Sequence, residues 1–265
     1  MNKWYEMTWE EIGALPRQGI DGAILPVGAI EQHGPHLGCG MDAEIAEQLC
    51  NRVAEITGAA LLPLLPYGCS IGHSRRWPGT IALQPKTLID VVKEIGDWIY
   101  ASGFRRLFIV NSHVTNQAPL RCALEMLRAD YDDLMVALIG SGTISERVRE
   151  RHFQDADDWH ANEAETSLML AVSPHMTRPE RLADSDDEDR TADCVFSHPV
   201  NRTSLNGVTG HPSQASRERG EELFAWMVGD LSQLISKGMR ETPPLPYSYF
   251  SNAETQRMEL SNNEK

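Results

Sequence analysis

The chain alternates short apolar runs with longer amphipathic stretches. Four apolar runs of four to six residues are bounded by turn-forming residues, a pattern typical of buried strands. The predicted strands are Ala23–Val27, Ala60–Leu65, Leu107–Val110 and Leu134–Ile139. Between them, apolar residues recur every three or four positions, as a helix with one buried face requires. The predicted helices are Ala43–Thr57, Pro85–Ser102 and Gln117–Tyr131.

This alternation of strands and helices predicts an α/β fold, layered α/β/α, with a mostly parallel central sheet. Two more helices are predicted at about residues 162–172 and 214–237, and the polar stretch of residues 177–213 between them predicts an elaborate loop. We see no internal repeat and no linker. One domain over residues 1–241 is therefore predicted, followed by a polar tail over residues 242–265.

The charge of the chain narrows the choice of partners. It carries 38 acidic and 24 basic residues in 265, a formal net charge of −14. Such a surface repels phosphate backbones and anionic membranes, so we expect neither a nucleic-acid nor a membrane partner. No apolar run approaches the roughly 20 residues that span a bilayer, and the N-terminus has no signal-peptide pattern. The five cysteines are scattered without a CxxC spacing, which disfavours a disulfide framework. We expect a cytoplasmic protein.

Carboxylates and histidines follow the predicted strands. Glu31 and His33 come after the first strand, and residues two apart in extended chain face the same side. Open α/β sheets bind ligands at this carboxyl edge. His113 follows the third strand in the same way, although a hydrogen-bonded structural histidine is the alternative there. Asp42 precedes the first long helix; alone it would be interpreted as an N-cap, but its neighbourhood favours a metal ligand.

Glu165 is the fifth candidate ligand. On a helix that starts near Asn162, its side chain shares the face of Leu168 and Met169, which should be buried. A buried carboxylate is costly unless it is paired, protonated or metal-bound. A capping box between Asn162 and Glu165 is the alternative interpretation. Two nitrogen and three oxygen ligands suit zinc or manganese, and two metal ions bridged by Asp42 would use all five.

These residues lie in motifs that resemble the creatininase (creatinine amidohydrolase) family over about residues 8–235. The strongest motif is LPVGAIEQHGPHL with Asp42 downstream. The other matching motifs are Pro66-Tyr67-Gly68 with Trp77-Pro78-Gly79-Thr80; Gly103-Phe104-Arg105-Arg106 leading to Asn111-x-His113-x-x-Asn116; His160-Ala161 with Glu165-Thr166-Ser167; and Gly207-Val208-x-Gly210-x-Pro212 near Gly220.

The resemblance implies a layered α/β fold, a small-molecule substrate, a homo-oligomer and two divalent metal ions, Zn²⁺ and/or Mn²⁺. One ion would bind Glu31, Asp42 and His113, and the other would bind His33, Asp42 and a further carboxylate. Creatininase itself takes that carboxylate from the position of Thr115 in this chain. Threonine cannot replace it, so Glu165 is the natural substitute and creatinine itself is disfavoured as the substrate.

The predicted activity is hydrolysis, in which a metal-held hydroxide attacks a carbonyl carbon. Metal binding lowers the pKa of water from about 15.7 toward about 7. His160 is the candidate proton shuttle, with support of a ligand carboxylate as the alternative, and Glu163 about one turn away is the candidate that orients it. The lead substrate is the C–N bond of a small cyclic amide or formamide. The alternatives are C–C cleavage in a cyclic polyhydroxy diketone, trimming of a peptide, and non-catalytic metal binding.

A few neighbouring side chains are candidates for the pocket rim. His36 and His73 are predicted there, with purely structural roles as the alternative. Arg75, Arg76 and Trp77 are candidates for contact with a polar or anionic substrate.

Overall fold

Five parallel strands form the central sheet. The structure is a computed structural model, and it describes residues 1–73, 75–245, 247, 248, 250 and 251. The strands are β1 (Asn2–Lys3), β2 (Gly22–Val27), β3 (Ala60–Leu61), β4 (Arg106–Asn111) and β5 (Met135–Gly140). Their order across the sheet is β1-β3-β2-β4-β5, and every pairing is parallel. The prediction of an α/β fold with a parallel sheet is confirmed.

Helices cover both faces of this sheet. They are α1 (Trp9–Ala14), α2 (Met41–Thr57), α3 (Pro85–Ala101), α4 (Gln117–Asp130), α5 (Glu146–His152), α6 (Glu163–Val172), α7 (Val200–Thr203) and α8 (Arg217–Gly238). One apolar core joins α2, α6 and α8 to the face that carries Ile24 and Phe108. A second core joins α3 and α4 to the face that carries Leu25 and Ile109. The alternation of side chains along β2 and β4 thus produces three layers.

Each predicted strand and helix is observed to within a few residues, with the strand at residues 60–65 as the exception. Strand β3, which was predicted over residues 60–65, ends at Leu61. Leu65 makes only a single bridge to Val27. Pro63 lies in the interval and has no N–H for a strand ladder. Helix α1, which was not predicted, begins with a capping box between Thr8 and Glu11.

The long polar stretch of residues 177–213 is mostly irregular, as predicted, but contains the 3₁₀ helix Pro179–Asp184 and helix α7. No helix in the described part of the chain is both long and apolar enough to cross a membrane. The single-domain organisation stays a prediction. Most of the predicted polar tail, from residue 252 onward, lies outside the described residues.

Candidate metal centre

A close approach between β2 and α2 creates the site. Directly after β2, a Cβ atom on Gly28 would lie 2.5 Å from the Cα atom of Ala43. Only glycine allows the first turn of α2 to lie this close to the strand end. Asp42, in that first turn, is thereby brought beside Glu31 and His33. The N-cap of α2 is Gly40, so the side chain of Asp42 is free of the capping role.

Asp42 lies between two histidines. Its Oδ1 is 3.5 Å from Nε2 of His33, and its Oδ2 is 3.5 Å from Nδ1 of His113. Oε2 of Glu31 is 3.3 Å from Nε2 of His113, and Oε1 of Glu31 is 4.0 Å from Nε2 of His33. The structure therefore brings together the four candidate ligands that follow β2 and β4.

Two asparagines shape the loop that carries His113. The side chain of Asn111 donates to the backbone oxygen of His113 at 2.7 Å and accepts from its backbone N–H at 3.2 Å. Asn116 donates to the oxygens of Gly28 and Asn111 and accepts from the N–H of Cys69. These buried amides join the segments after β2, β3 and β4, so the Asn111-x-His113-x-x-Asn116 motif has a structural explanation.

Glu165 reaches the same site from the first turn of α6. The N-cap is Asn162, whose side chain accepts from the N–H of Glu165 at 3.1 Å. The return bond of a capping box is absent from this pair, because Oε2 of Glu165 accepts instead from the N–H of Ala161 at 2.6 Å. Ala161 has a φ of 51°, a left-handed conformation uncommon for a residue other than glycine. Glu165 has ligand atoms within 4.8 Å of those of His33 and His160.

The backbone of His160 pairs with the segment that contains the Gly207-Val208-x-Gly210 motif. His160 pairs with Thr209 through two backbone hydrogen bonds, of 3.1 and 2.8 Å. A Cβ on Gly207 would lie 2.0 Å from the side chain of Gln32, and a Cβ on Gly210 would lie 2.6 Å from Asn162. Both glycines also have positive φ. Glycine at these positions therefore lets this segment pass close enough to pair with His160.

Three histidines share one arrangement of ring nitrogens. In each, one nitrogen lies within hydrogen-bond distance of a backbone oxygen, so we assign the ring proton to that nitrogen. The acceptors are the oxygen of Glu31 for His33, of Cys69 for His113 and of Gln32 for His160, at 3.2, 3.0 and 2.8 Å. The other nitrogen faces the carboxylates and, in the neutral imidazole, carries the lone pair that a metal ion binds, which is how metal-binding imidazoles are usually oriented.

Gln32 is a buried site residue that the sequence did not single out. Its side-chain nitrogen donates to the oxygen of Gly207 at 3.1 Å and lies 3.2 Å from Nδ1 of His73. Nδ1 of His73 is 3.8 Å from Oε1 of Glu31. In the EQH motif, Glu31 and His33 face the candidate metal positions, whereas the side chain of the intervening Gln32 contacts His73. Alternation along the chain indicated that Gln32 points elsewhere, but not what it meets.

The ionisable groups of the cluster fit a bound cation. Both carboxylate oxygens of Glu31, Oδ2 of Asp42 and Nε2 of His33 are buried and lack a hydrogen-bond partner among the described residues. Burial raises the pKa of Glu31, and it raises the pKa of Glu165 to about 7. Burial acts to lower the pKa of His33, but Asp42 and the two glutamates raise it to about 10. Crowded carboxylates without donors are what a divalent cation compensates.

The cluster opens into a cavity of about 550 Å³. Glu31, Asp42, His113 and Glu165 line it together with His160. Aromatic, acidic and loop residues that the sequence did not single out complete the walls: Phe153, Trp159, Asp157, Asp158, Ser197 and His198. Asp157, Asp158 and Trp159 directly precede His160, whereas Phe153, Ser197 and His198 come from segments that carry no motif. A cavity of this volume suits a small ligand.

Glu163 does not take its predicted place. Its carboxylate lies 2.8 Å from Nη1 of Arg151, 3.4 Å from Nε of Arg219, and accepts from Oγ of Ser167 at 2.6 Å. These partners lie on α5, α8 and α6, so the carboxylate of Glu163 joins helices rather than contacting His160. The prediction that Glu163 orients His160 is corrected accordingly.

The rim predictions also change. His36 is fully buried, and its Nε2 lies 2.8 Å from the hydroxyl of Thr166. Burial lowers the pKa of His36 to about 4, so this histidine is neutral and internal rather than at the rim. His73 lines the cavity as predicted. Arg76 donates to backbone oxygens of the chain itself, and Arg75 is exposed.

The comparisons with known proteins agree with this architecture. The chain matches the creatininase (creatinine amidohydrolase) family model over residues 5–235. It is 32% identical over 254 residues to creatinine amidohydrolase of Pseudomonas putida, which covers 90% of this chain and 96% of that protein. It is 32% identical over 232 residues to a mycofactocin precursor peptide peptidase of Mycobacterium ulcerans, covering 83% and 85%. A 3-dehydro-scyllo-inosose hydrolase of Thermotoga maritima is 23% identical over 261 residues, covering 89% and 83%.

Solved structures give the same result. A creatininase structure described as "Creatininase Mn" has a TM-score of 0.79 at 29% identity, covering 90% of this chain and 99% of that chain. A mutant creatininase of "Zn-Zn type" has a TM-score of 0.78 at 30% identity, covering 90% and 98%. Fold and site thus define a parallel α/β/α protein with a candidate metal centre at the carboxyl edge of its sheet. The chain belongs to the creatininase family of hydrolases.

Proposed function

We propose that the chain is a binuclear metal-dependent hydrolase that cleaves the C–N bond of a small cyclic amide or formamide. The observation that supports two metal positions is the placement of Asp42, whose two oxygens each face a different histidine at 3.5 Å. Glu31 and His113 would complete one position, and His33 and Glu165 the other. Zn²⁺ and Mn²⁺ suit such mixed nitrogen and oxygen ligands.

Divalent ions held there would lower the pKa of water and stabilise negative charge on a carbonyl oxygen. The chain's own residues supply the remaining functions. His160 keeps a lone pair on Nδ1, which lies 3.7 Å from Oε1 of Glu31, because its Nε2 proton is donated to Gln32. Burial lowers the pKa of His160, so its imidazole is neutral in the metal-free chain. Nδ1, which carries the free lone pair, is the atom at which a proton would be taken up. We assign His160 the role of proton shuttle.

The lining of the cavity favours a substrate that is neutral or positively charged. No lysine or arginine is found among the described residues that line it, whereas Asp157 and Asp158 lie on its wall. An anionic substrate would therefore meet repulsion outside the metal positions. Phe153 and Trp159 provide flat apolar surface on which a small ring can pack. This lining is consistent with a cyclic amide.

A peptide bond is the second candidate substrate. The chain shares 32% identity with a mycofactocin precursor peptide peptidase, the same value as with creatinine amidohydrolase. Val114 lines the cavity and is 66% exposed, so apolar surface continues from the site to the outside. Cleavage of a C–C bond in a cyclic diketone would use the same groups and is kept as an outcome of the test below.

The decisive experiment combines metal analysis with a substrate screen. The purified protein would be loaded with Zn²⁺ or Mn²⁺, dialysed and analysed for metal per chain. Cyclic amides, formamides, short peptides and inosose-type diketones would then be tested for hydrolysis. About two metal ions per chain with turnover of cyclic amides or formamides is the expected result. Absence of bound metal would refute the proposal, and turnover restricted to peptides or diketones would replace the substrate.

A further inference from the structure

Part of the cavity wall belongs to a segment that carries none of the candidate metal ligands. We call residues 197–205 the roof segment; it contains α7. Four consecutive residues at its start line the cavity: Ser197, His198, Pro199 and Val200. The side chain of His198 is exposed as well as facing the cavity. The position of the roof segment therefore affects the shape of the substrate site but not the ligand set.

The side chain of Arg76 donates hydrogen bonds to the backbone of the roof segment. Nη1 of Arg76 donates to the oxygen of Asn201 at 2.9 Å and to the oxygen of Ser204 at 2.8 Å, and Nη2 lies 3.4 Å from the oxygen of Leu205. The last carbonyl groups of a helix have no partner within it, and an arginine near a helix C-terminus satisfies them. The planar guanidinium thus binds carbonyl oxygens in α7 and in the two residues after it.

Among the described residues, the guanidinium of Arg76 has no competing partner of opposite charge. None of the ion pairs in the described part of the chain includes Arg76. Its central carbon lies 4.8 Å from the centre of the Trp77 ring, which supports the flat group from one side. Three of the five N–H groups of the guanidinium are directed at carbonyl oxygens of the chain itself, so we assign Arg76 a structural role in place of the predicted rim role.

Asp187, which lies outside the roof segment, also forms hydrogen bonds with it. Its Oδ2 accepts from the hydroxyl of Ser204 at 2.8 Å and from the N–H of Leu205 at 2.7 Å. Backbone hydrogen bonds join Asp187 to Gly210, next to the residue that pairs with His160. This anchor explains why loss of Arg76 should loosen the roof segment without unfolding the protein.

We infer that Arg76 is a positioning residue that holds the roof segment against the cavity and thereby sets the substrate wall. The effect on substrate rests on the proposed function, whereas the effect on the roof segment does not. Arg76→Ala removes all three donated hydrogen bonds. Arg76→Lys keeps the charge, but an ammonium group cannot reproduce the planar fork.

Hydrogen–deuterium exchange of the full chain tests the positioning itself. We expect amides of residues 197–205 to exchange at least about tenfold faster in Arg76→Ala, with a smaller increase in Arg76→Lys. Peptides from α3 and β4 should exchange as in the parent and serve as the reference for global stability. The matched control is Arg75→Ala, since Arg75 is exposed and has no ion pair or hydrogen bond among the described residues. Unchanged exchange of the roof segment in Arg76→Ala would overturn the inference.

Metal and substrate readouts separate this inference from the proposed function. Loaded with Zn²⁺, Arg76→Ala should bind as much metal as the parent, because no ligand is removed. With a substrate found in the screen, the KM of Arg76→Ala should rise at least about fivefold, while its kcat changes less than about twofold. The reason is that the cavity wall is altered, whereas the candidate metal ligands and His160 are not. A fall in kcat at unchanged KM would contradict the assigned role. Faster roof exchange in a protein that binds no metal would support the positioning and refute only the proposed function.

Discussion

At the residue scale, Asp42 and Glu165 show how a helix N-terminus can contribute a side chain to the candidate metal centre. Each lies in the first turn of its helix, and each backbone N–H there needs an acceptor. Asn162 supplies that acceptor for Glu165, so the carboxylate is free to face His33 and His160. Helix α6 therefore presents Glu165 to the site without losing its cap, whereas α2 presents Asp42 from an end whose N-cap, Gly40, has no side chain.

Replacing Glu165 tests whether it is a ligand. Glu165→Gln keeps the size of the side chain and an oxygen that can accept from the N–H of Ala161, but it removes the charge. We expect metal affinity to fall at least about 10–100-fold and turnover to fall with it. Metal titration followed by elemental analysis measures this. Glu47→Gln, on the exposed side of α2, is the control, and an unchanged metal content in Glu165→Gln would exclude the ligand role.

Replacing His160 separates the shuttle from a ligand. We expect His160→Ala to bind metal as the parent does and to lose turnover about 10²–10⁴-fold, the usual contribution of a positioned acid or base. Its pH–rate profile should also lose one limb. Loss of metal in His160→Ala would instead identify His160 as a ligand, in keeping with its closeness to His33 and Glu165.

Local sequence rules predicted which side chains gather but not how each is used. Glu31, His33 and His113 could be placed because strand ends and the two-residue alternation are local features. His36 could not, since its burial against Thr166 depends on a contact made 130 residues away in the chain. Glu163 was misinterpreted for the same reason, because its arginine partners lie on other helices.

At the element scale, the packing of α8 against α6 depends on one small residue. A Cβ on Gly220 would lie 1.8 Å from the backbone oxygen of Ser167, whereas a Cβ on Gly229 of the same helix would meet nothing within 4 Å. Ser167 is two residues from Glu165. The separation between these helices is therefore linked to the position of Glu165 in the candidate metal centre.

The two glycines form a matched pair of substitutions. Gly220→Ala should lower the free energy of unfolding by about 1–3 kcal/mol or more, because backbone rather than a flexible side chain must move. Gly229→Ala should raise it by about 0.5–1 kcal/mol, since alanine is the better helix former. Urea denaturation of the metal-free protein measures both. Equal effects of the two substitutions would contradict the packing described.

Element boundaries were predictable where the signal lies within a few residues. Pro85 at the start of α3 and Gly58 after α2 mark helix ends that the sequence indicated. The short helix α5 was not predicted, because its residues Glu146–His152 are largely charged and only Val148 and His152 are buried. Its stability comes from contacts with α6 and α8, which no local pattern encodes.

At the scale of the whole molecule, metal binding and stability should be coupled. Glu31 is fully buried, and neither of its side-chain oxygens has a hydrogen-bond partner among the described residues. In the metal-free chain this arrangement costs stability; with a cation bound it becomes favourable. A ligand that binds only the folded state adds about 2.7 kcal/mol at a concentration of 100 Kd.

A thermal-shift series tests this coupling. Zn²⁺ or Mn²⁺ should raise the melting temperature of the parent, and a chelator should reverse the shift. Glu31→Gln should show a much smaller shift, and without metal it should be at least as stable as the parent, because a buried charge has been removed. The parent would then be the more stable protein with metal, and Glu31→Gln would be at least as stable as the parent without it. The same order under both conditions would count against Glu31 as a ligand.

The candidate ligands come from four separate parts of the chain: the segment after β2, the start of α2, the segment after β4 and the start of α6. The last of them, Glu165, lies past the middle of the sequence, and the segment that pairs with His160 comes later still. During synthesis on the ribosome all five strands of the sheet therefore emerge before the last candidate ligand. Metal capture is expected to be a late event, and metal content should report how much of a preparation has finished folding.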